Sequence, residues 1–353
     1  MRAWATLWLT GRLPWRPPFG VLDPKARAPL LPRIALTGAT GFVGRAISDA
    51  LGPDRALITA LARPQRGRVL PERAGLRWVQ GTMDQPVALA DLCAGAQVVM
   101  HCAGATKALR ARDFHEANVA ATGAMISAAR EAGVGHFVLL SSLAASRPES
   151  SDYAATKLAG EAMAHRGAGP MALTIVRAPA VIGPGDGATA PLFSGLARGW
   201  MPVPGGKARK ARFSVIDVQD LAGLLISLAM GGDGPDAARG GVLSPFGHRA
   251  LSWSDMAESA ARVTGRRIRS FVVPLGALVL AGYGADLVAR LTGRAQVFSS
   301  GKVREMQAGD WIGEVPLVTP TPIDVTMQRC LAPFQRLGNA GKGNVAACDR
   351  SPE

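Results

Sequence analysis

The stretch from Thr37 to Gly44 reads T-G-A-T-G-F-V-G and directly follows the apolar run R-I-A-L at residues 33–36. An apolar run, three glycines spaced by three and a helix-compatible segment are typical of a strand–turn–helix unit. Gly38 permits a turn that a side chain would block, Gly41 lets a ligand approach the backbone, and Gly44 lets the helix pack closely on the strand. Because the first N–H groups of that helix face the turn, the unit suits a phosphate group. The sequence therefore predicts a dinucleotide site, and the strand context weighs against an ordinary glycine turn.

Short apolar runs alternate with longer helix-like segments through the first half of the chain, as in consecutive βαβ units. The pattern predicts strands at 56–62, 76–79, 97–101, 137–140 and 171–176, and helices at 113–132 and 153–165. Continuously apolar strands are typical of a sheet that is covered on both faces. We therefore expect an α/β fold, with a Rossmann-type doubly wound parallel sheet and a smaller, mainly helical C-terminal substrate lobe.

The regular alternation ends at about residue 181, where loop-rich sequence begins. A strand at 213–216 and a helix at 218–230 follow, and we expect them to add to the main sheet. Residues 245 to 310 are mostly helix-like, with proline breaks, and suit a lobe that binds the substrate.

This pattern divides the chain into a sheet domain, a lobe and two ends. The predicted parts are a disordered extension (or a mis-set translation start) at 1–32, a dinucleotide-binding domain at 33–180 to which 212–244 returns, a substrate lobe at 181–211 and 245–337, and a disordered tail at 338–353.

The chain is strongly basic, with a formal net charge of +14 over 353 residues. Residues 1–33 carry six basic and one acidic side chain, and residues 198–212 carry five basic side chains without an acid. A basic balance can indicate nucleic-acid binding. With only two tyrosines and no recognisable nucleic-acid module, the sequence favours a phosphorylated small molecule and no nucleic acid, and ordinary surface charge is the alternative.

The cysteines and histidines show no ligand spacing. The four cysteines, Cys93, Cys102, Cys330 and Cys348, form no C-x-x-C pair, and the five histidines form no metal-binding pattern. We therefore expect a reduced, cytoplasmic chain without structural disulfides or a metal site.

No segment reaches the ~18 continuous apolar residues that a membrane span needs, so we expect no transmembrane segment. The uncharged stretch at 271–285 is interrupted by Pro274 and three glycines. It predicts a buried or amphipathic helix of the second lobe, with contact to a membrane surface as the alternative.

A second motif follows the strand predicted at 137–140, where Ser141 and Ser142 precede Y-A-A-T-K from Tyr153 to Lys157. Residues four apart share a helix face, so the tyrosine hydroxyl and the lysine ammonium address one site. A lone tyrosine has a pKa near ~10, and a neighbouring cation lowers it towards the range of a useful acid or base. A hydroxyl at the end of the strand can hold the substrate oxygen. Because ligands collect at the carboxyl ends of parallel strands, the glycine turn, the serines and the Tyr–Lys pair are expected to converge.

These stretches together resemble the extended short-chain dehydrogenase/reductase family, also called the NAD-dependent epimerase/dehydratase family, over roughly residues 32–338. Further matching stretches are H-C-A-G at 101–104, Asn118-Val119, R-A-P-A-V-I-G-P-G-D at 177–186 and F-S-V-I-D-V-Q-D-L-A at 213–222. The resemblance implies that Tyr153 is the acid/base, that Lys157 also binds the nicotinamide ribose, and that Asn118 supports a water relay. It assigns the carbonyl-orienting serine to Ser142 ahead of Ser141.

The resemblance also assigns the residues that hold the cofactor, and it implies a homodimer through the Tyr–Lys helix and the Asn118 helix. The candidates are Gly38, Thr40, Gly41, Phe42, Val43 and Gly44 of the turn, Asp84 near the adenine, Ala103, Gly104, Lys157, and Ala178 and Pro179 along the nicotinamide. Arg63 is a further candidate, from the basic residues that lie about 20 positions beyond the glycines.

The choice between NADP and NAD depends on the residues about 20 positions beyond the glycines, where NAD users place an acid on the ribose 2′-hydroxyl. No Asp or Glu occurs between Arg55 and Pro71, whereas Arg63, Arg66 and Arg68 do. An arginine pairs with a 2′-phosphate that a carboxylate would repel. The sequence therefore favours NADP, and NAD is the alternative cofactor. The arginines could also belong to a solvated basic loop that contacts no cofactor.

Three functions compete. After the serines the chain reads L-A-A at 143–145, without the acidic pair that nucleotide-sugar dehydratases carry or the V-Y-G of sugar epimerases. We therefore expect an NAD(P)-dependent oxidoreductase that transfers hydride between the nicotinamide and a secondary alcohol or ketone of an apolar, steroid- or flavonoid-like substrate. The basic segment at 207–212 could hold a diphosphate, which keeps a nucleotide-sugar epimerase as the alternative. A non-catalytic dinucleotide-binding regulator or assembly factor is the second alternative, and the intact Tyr–Lys pair weighs against it.

Overall fold

The computed structural model describes residues 31–231, apart from 66 and 68, and residues 241–343. Its strands are β1 (Arg33–Thr37), β2 (Leu57–Ala62), β3 (Leu76–Gln80), β4 (Val98–His101), β5 (His136–Ser142), β6 (Ala172–Ala178), β7 (Ala180–Ile182), β8 (Trp200–Pro204), β9 (Phe213–Asp217), β10 (Gly241–Leu243), β11 (Pro245–Phe246), β12 (His248–Leu251), β13 (Arg269–Val273) and β14 (Val315–Pro316). Its α-helices are α1 (Phe42–Ala50), α2 (Pro86–Cys93), α3 (Ala111–His115), α4 (Ala121–Glu131), α5 (Asp152–Gly167), α6 (Ala190–Ala197), α7 (Val218–Met230), α8 (Trp253–Thr264), α9 (Leu275–Thr292), α10 (Ser300–Gln307) and α11 (Ile323–Gly343).

Seven parallel strands form the central sheet, in the order β10-β6-β5-β4-β1-β2-β3. The chain runs outward from β1 to β3 and then returns to β4 on the other side of β1. The strand order therefore reverses between β1 and β4, and in open α/β sheets this is the point at which ligands bind. The predicted Rossmann-type α/β fold is confirmed.

Apolar side chains cover both faces of this sheet, as the continuously apolar strands predict. One core contains Ile47 of α1 and Leu221 and Leu225 of α7. The other contains Leu92 of α2 and Met125 of α4, both fully buried. Each core lies between the sheet and a helical layer, so the strand ends are free to form a site at the sheet edge.

A third core belongs to the C-terminal lobe. Leu196 of α6, Met201 of β8, Ala260 of α8 and Met327 of α11 are all fully buried there. The predicted strand at 213–216 is present as β9, but it pairs with β7 and β12 in a small three-stranded sheet rather than with the main sheet. Residues 212–244 were expected to return to the dinucleotide-binding domain. Of the elements in this range, α7 packs against α1, and β10 pairs with β6 at the edge of the main sheet.

The stretch predicted as one buried or amphipathic helix at 271–285 is different in the structure. It is divided by Pro274 between β13 and α9, because proline disfavours a helical residue before it and its fixed φ suits a helix start. By length and composition, α9 could cross a membrane, and 17% of its 18 residues are buried. It is the one such helix in the described part of the chain.

The two predicted disordered ends lie largely outside the described residues. Helix α11 continues to Gly343, past residue 338, where we expected the tail to begin. The extension at 1–32 is described only from residue 31. In the described chain Cys93, Cys102 and Cys330 are free thiols, and Cys348 lies beyond it.

Candidate active site

The glycine turn has the geometry that its three glycines predict. Gly38 has φ of +74°, and a Cβ there would lie 2.7 Å from the backbone of Cys102 and Ala103. A Cβ on Gly44 would overlap the carbonyl oxygen of Gly38, so a side chain at this position would push α1 away from β1. Helix α1 begins after Gly41, and neither a side-chain cap nor an acid occupies its first turn. This cradle therefore fits the pyrophosphate of a dinucleotide.

Thr37 and His101 join the two strands at the point where the strand order reverses. They are register partners on β1 and β4, and Thr37 Oγ1 lies 2.8 Å from His101 Nδ1. Thr37 Oγ1 also accepts from Ala103 N at 3.1 Å, and Thr122 Oγ1 donates to the carbonyl of Asn118 while lying 3.3 Å from His101 Nε2. These roles are consistent with a neutral imidazole that carries its proton on Nε2. Burial and the nearby Lys157 charge lower the pKa of His101 to about 3, so the ring stays neutral.

Tyr153 lies in the first turn of α5, which begins after Ser151. The Ser151 hydroxyl accepts a hydrogen bond from Ala154 N and so caps the helix. The hydroxyl of Tyr153 lies near that of Ser142, the last residue of β5, and both residues line the same cleft. The ring of Phe114 packs on the tyrosine ring, with the ring centroids 6.1 Å apart. Tyr153 and Ser142 therefore meet at the carboxyl edge of the sheet.

The two serines at the end of β5 point to different partners. Ser142 faces Tyr153 and accepts from Ala144 N at 3.2 Å. Ser141 is buried and donates to Glu161 Oε1 of α5, and the same carboxylate pairs with the guanidinium of Arg177, the register partner of Ser141 on β6. This arrangement supports Ser142 over Ser141 for a role on a substrate oxygen.

The pKa of Tyr153 departs from the expectation that Lys157 lowers it. Burial, with a contribution from the negative charge of Glu305, raises the pKa of Tyr153 to about 12, although the Ser142 hydroxyl acts in the opposite direction. Lys157 instead donates to the carbonyl of Leu140 at 2.8 Å, and burial lowers its pKa to about 8. Helical spacing places Tyr153 and Lys157 on one face of α5. The pKa of Tyr153, however, is determined mainly by its burial, which cannot be inferred from residues close in sequence.

Asn118 lies in a π-helical turn, Glu116–Ala120, that connects α3 and α4. Its side chain is buried, accepts from Ala105 N at 2.8 Å, and donates to Ala105 O and to Thr156 Oγ1, each at 3.1 Å. π-helical turns often occur at functional sites. Here the turn joins the loop after β4 to α5, and Gly160 of α5 allows the close approach because a Cβ would strike the Asn118 carbonyl.

A single large cleft of about 1650 Å³ runs along the carboxyl edge of the sheet and into the lobe. A typical small-molecule site occupies roughly 300–1,000 Å³, so this cleft can hold a dinucleotide and a second ligand together. The cleft is lined by ten of the predicted residues: Gly38, Gly41, Phe42, Val43, Gly44, Gly104, Ser142, Tyr153, Ala178 and Pro179.

The remaining predicted residues lie outside the cleft lining. Thr40 belongs to the glycine turn and Ala103 to the loop after β4, whereas Asn118 bonds to Thr156 of α5 and Lys157 to the Leu140 carbonyl of β5. Arg63 is exposed just after β2, at the same sheet edge as the glycine turn. Asp84 is exposed and borders a separate shallow pocket after β3 with Trp78 and Gln85. Arg66 and Arg68 are not among the described residues.

The structure adds site residues from the lobe that carry no recognisable motif. Glu305 of α10 is buried, accepts from Ser151 Oγ at 2.5 Å and pairs with Lys302 at 2.7 Å. Its carboxylate influences Tyr153 from a position more than 150 residues further along the chain. Only a contact between distant segments places it there, so no local pattern could have indicated it.

The basic segment at 207–212 turns its charges away from the cleft. Ala208 and Ala211 line the cleft, whereas Lys207, Arg209 and Lys210 are exposed to solvent. Arg212 pairs with Asp255 of α8 at 3.3 Å.

Comparison with known proteins agrees with this geometry. The model of the NAD dependent epimerase/dehydratase family matches residues 34–230, more than half of the chain. The chain belongs to this family. It is an NAD-dependent enzyme of the extended short-chain dehydrogenase/reductase type, as the resemblance of its motifs predicts.

Two curated relatives and one solved structure of the family are informative. The chain is 37% identical over 279 residues to a ceramide reductase of Caulobacter vibrioides (strain NA1000 / CB15N), which covers 79% of this chain and 85% of the relative. It is 32% identical over 168 residues to a 4-hydroxy-2-methyl-3-oxo-4-farnesyl-3,4-dihydroquinoline-1-oxide ketoreductase of Stigmatella aurantiaca, covering 42% and 50%. The structure of the Bordetella bronchiseptica enzyme WbmH in complex with NAD+ superposes with a TM-score of 0.66 at 18% identity, covering 87% and 99%.

Proposed function

We propose that this family member is an NADPH-dependent reductase that converts a ketone of a long-chain, lipid-like molecule into a secondary alcohol. The observation that carries the proposal is the proximity of Tyr153 and Ser142 at the edge of a cleft that has an apolar wall in the lobe. That wall includes Leu192, Trp253, Met256, Val297 and Phe298. Two relatives named as reductases, of ceramide and of a farnesyl-bearing quinoline oxide, point to the same kind of substrate.

In this mechanism Ser142 donates a hydrogen bond to the ketone oxygen while the hydroxyl of Tyr153 gives that oxygen its proton. A pKa of about 12 keeps the phenol protonated at neutral pH, which is the form that a reduction requires. When bound, the nicotinamide supplies the hydride to the carbonyl carbon. Lys157, held by the Leu140 carbonyl, supplies a donor beside Gly104 for the adjoining ribose.

The turnover experiment compares the wild type with Tyr153→Phe, using a panel of ketones from short aliphatic to long-chain N-acyl amino ketones and following NADPH absorbance. We expect turnover to rise with chain length, and the variant to lose at least ~100-fold in kcat while retaining NADPH affinity. Tyr283→Phe, in the only other tyrosine of the chain, is the matched control. Full turnover in Tyr153→Phe would exclude the proposed acid.

Arg63 is the proposed contact for the 2′-phosphate of NADP. It follows β2 at the sheet edge of the glycine turn, and no acid lies between Arg55 and Pro71. A charge-assisted hydrogen bond contributes about 1.5–3 kcal/mol, so Arg63→Ala should weaken NADPH binding about tenfold or more and leave NADH binding unchanged. Arg55→Ala, at the opposite end of the same strand, is the control. Tighter binding of NADH than of NADPH by the wild type would contradict the proposal.

A nucleotide-sugar epimerase is the second candidate, favoured by the description of the family. The exposed positions of Lys207, Arg209 and Lys210 weigh against it, because they leave no basic side chain of that segment facing the cleft to hold a diphosphate. Interconversion of UDP-glucose and UDP-galactose without net NADPH consumption would favour the epimerase.

A further inference from the structure

Helix α9 is almost entirely apolar, yet it packs on the rest of the protein along one narrow stripe. Leu278, Gly282 and Ala289 face inward, and a Cβ on Gly282 would lie 3.1 Å from the backbone of Ser300. The side chains of Leu280 and Leu291 are 75% and 78% exposed. A helix that is apolar on all sides is normally buried in a protein core or in a membrane. Most of α9 is therefore unpartnered.

The exposed apolar surface continues from α9 onto the neighbouring strand β13. In the described part of the chain, nine of the seventeen large apolar side chains that are exposed lie in this short segment. They are Phe271, Val272, Leu275, Val279, Leu280, Tyr283, Leu287, Val288 and Leu291, and we call them the α9 surface. Soluble proteins rarely expose a large contiguous apolar patch, and one of this kind marks an interaction site.

Arginines border the α9 surface at both ends of the segment. Arg266, Arg267 and Arg269 precede or begin β13, and Arg290 and Arg294 lie at the end of α9, all of them exposed. The only acid between residues 265 and 299 is Asp286, whose carboxylate accepts from Ser300 N and faces the cleft. The rim is therefore cationic.

Aromatic side chains lie at the edge of this surface, where an interface between water and lipid would run. Trp200 of β8 packs edge-on against Phe271, with ring centroids 6.4 Å apart, and the guanidinium of Arg269 lies 5.7 Å from the indole ring. Tryptophan, tyrosine and arginine are the residues that suit the polar boundary of a bilayer, because each joins an apolar body to a polar end.

We propose that the α9 surface docks this protein on an anionic lipid bilayer, with α9 lying along the interface rather than across it. Apolar side chains enter the acyl boundary while the surrounding arginines contact acidic headgroups. A second copy of the chain is a poor occupant, because pairing two such surfaces would bring two cationic rims together without an acid between them. Spanning is disfavoured because it would remove Leu278, Gly282 and Ala289 from their contacts with the lobe.

The same helix borders the cleft, which gives the docking a purpose if the proposed function holds. Leu278, Ala289 and Arg290 line the cleft from inside, while Leu280 and Leu291 face outward. A substrate with long hydrocarbon chains could then pass between the bilayer and the cleft along α9 without entering water. This last step rests on the proposed reductase function, whereas the docking itself rests on the α9 surface.

The test is flotation of the full chain with vesicles, in the absence of substrate and cofactor. Vesicles of phosphatidylcholine alone are compared with vesicles that also contain phosphatidylglycerol. We expect binding to the anionic vesicles that decreases with added salt, and Leu280→Asp/Leu291→Asp to weaken it about tenfold or more. The control is Val87→Asp/Val318→Asp, since these valines are 83% and 84% exposed elsewhere on the protein. Circular dichroism verifies that each variant is folded.

Three outcomes would overturn the proposal. Unchanged flotation of the Leu280/Leu291 variant would place the attachment elsewhere in the chain. Equal binding to neutral and anionic vesicles would remove the role of the arginines. Absence of flotation would exclude docking on a bilayer, and a dimer that the variant dissociates in analytical ultracentrifugation would then assign the surface to a second copy. Because no turnover is measured, failure of docking and failure of the reductase proposal are distinguishable.

Discussion

The carboxylate of Glu305 accepts a hydrogen bond from Ser151, the residue that caps the helix on which Tyr153 lies. Helix α10 of the lobe is thus joined to the first turn of α5, and a negative charge is held near the phenol. The lobe therefore takes part in setting the acidity of the group proposed to donate the proton.

Replacing Glu305 with Gln should lower the pKa of Tyr153, because a negative charge that disfavours the phenolate is removed. The ammonium of Lys302, no longer paired, acts in the same direction. In a Tyr283→Phe background Tyr153 is the only tyrosine in the chain, so tyrosinate absorbance after stopped-flow pH jumps reports it alone. Glu131→Gln, at an exposed position of α4, is the control, and an unchanged titration in Glu305→Gln would contradict the assignment.

Acidification should destabilise the protein through His101, whose pKa is lowered to about 3 in the folded state by burial and by Lys157. The unfolded chain takes up this proton near pH ~6.5 and the folded chain does not, so stability falls as pH decreases from about 6.5 towards 3. Between about pH 7 and about pH 5 the imidazole should account for about 1–2 kcal/mol of the loss in the free energy of unfolding. Urea denaturation of His101→Gln should show a smaller pH dependence, whereas His165→Gln, an exposed position, should match the wild type.

Two glycine-to-alanine substitutions should act in opposite directions. Gly44→Ala forces a methyl group into the Gly38 carbonyl and should cost about 1–3 kcal/mol while weakening NADPH binding. Gly223 of α7 has open space around its position, and Gly223→Ala should stabilise the helix by about 0.5–1 kcal/mol. Urea denaturation measures the stability of both variants, and a NADPH titration measures their cofactor affinity. Normal NADPH affinity in Gly44→Ala would show that the cofactor does not require the close approach of α1 to β1.

The buried ion pair behind the site should be far more sensitive than a surface pair. Arg177 lies 2.6 Å from Glu161, whose side chain is 4% exposed and also accepts from Ser141. Removing the carboxylate takes the partner from the half-buried Arg177 guanidinium and from the buried Ser141 hydroxyl, so Glu161→Gln should cost about 1–3 kcal/mol. Asp91→Asn, which breaks the exposed pair with Arg77, should cost about 0–1 kcal/mol. Similar denaturation midpoints for these two variants would contradict the role assigned to burial.

Local patterns predicted the elements of the sheet and the residues of the glycine turn, because these depend on hydrophobic periodicity and on backbone geometry close in sequence. The strands at 57–62 and 98–101 lie within a residue of their expected bounds. The pairing of β9 was not predictable, since a short apolar run does not specify which strand it joins. The composition of 271–285 predicted a buried or amphipathic helix, and it did not reveal that most of its large apolar side chains would be exposed.

At the site, motif order predicted that Ser142 and Tyr153 would meet, and it did not predict the direction of the tyrosine pKa. Helical spacing brought Lys157 onto the same face, but burial and Glu305 depend on packing between distant segments. The family resemblance assigned Asp84 to the adenine, and in the structure its exposed side chain borders a separate pocket after β3.

The distance in sequence between Ser151 and Glu305, 154 residues, has a consequence for biosynthesis. Strands β1 to β6 and the helices between them emerge from the ribosome well before α10 exists. Helix α7, which completes one core of the sheet, also precedes α10, so the nucleotide-binding domain can assemble while the cap of α5 still lacks its carboxylate partner. Until α10 is added, the tyrosine lacks one of the charges that raise its pKa.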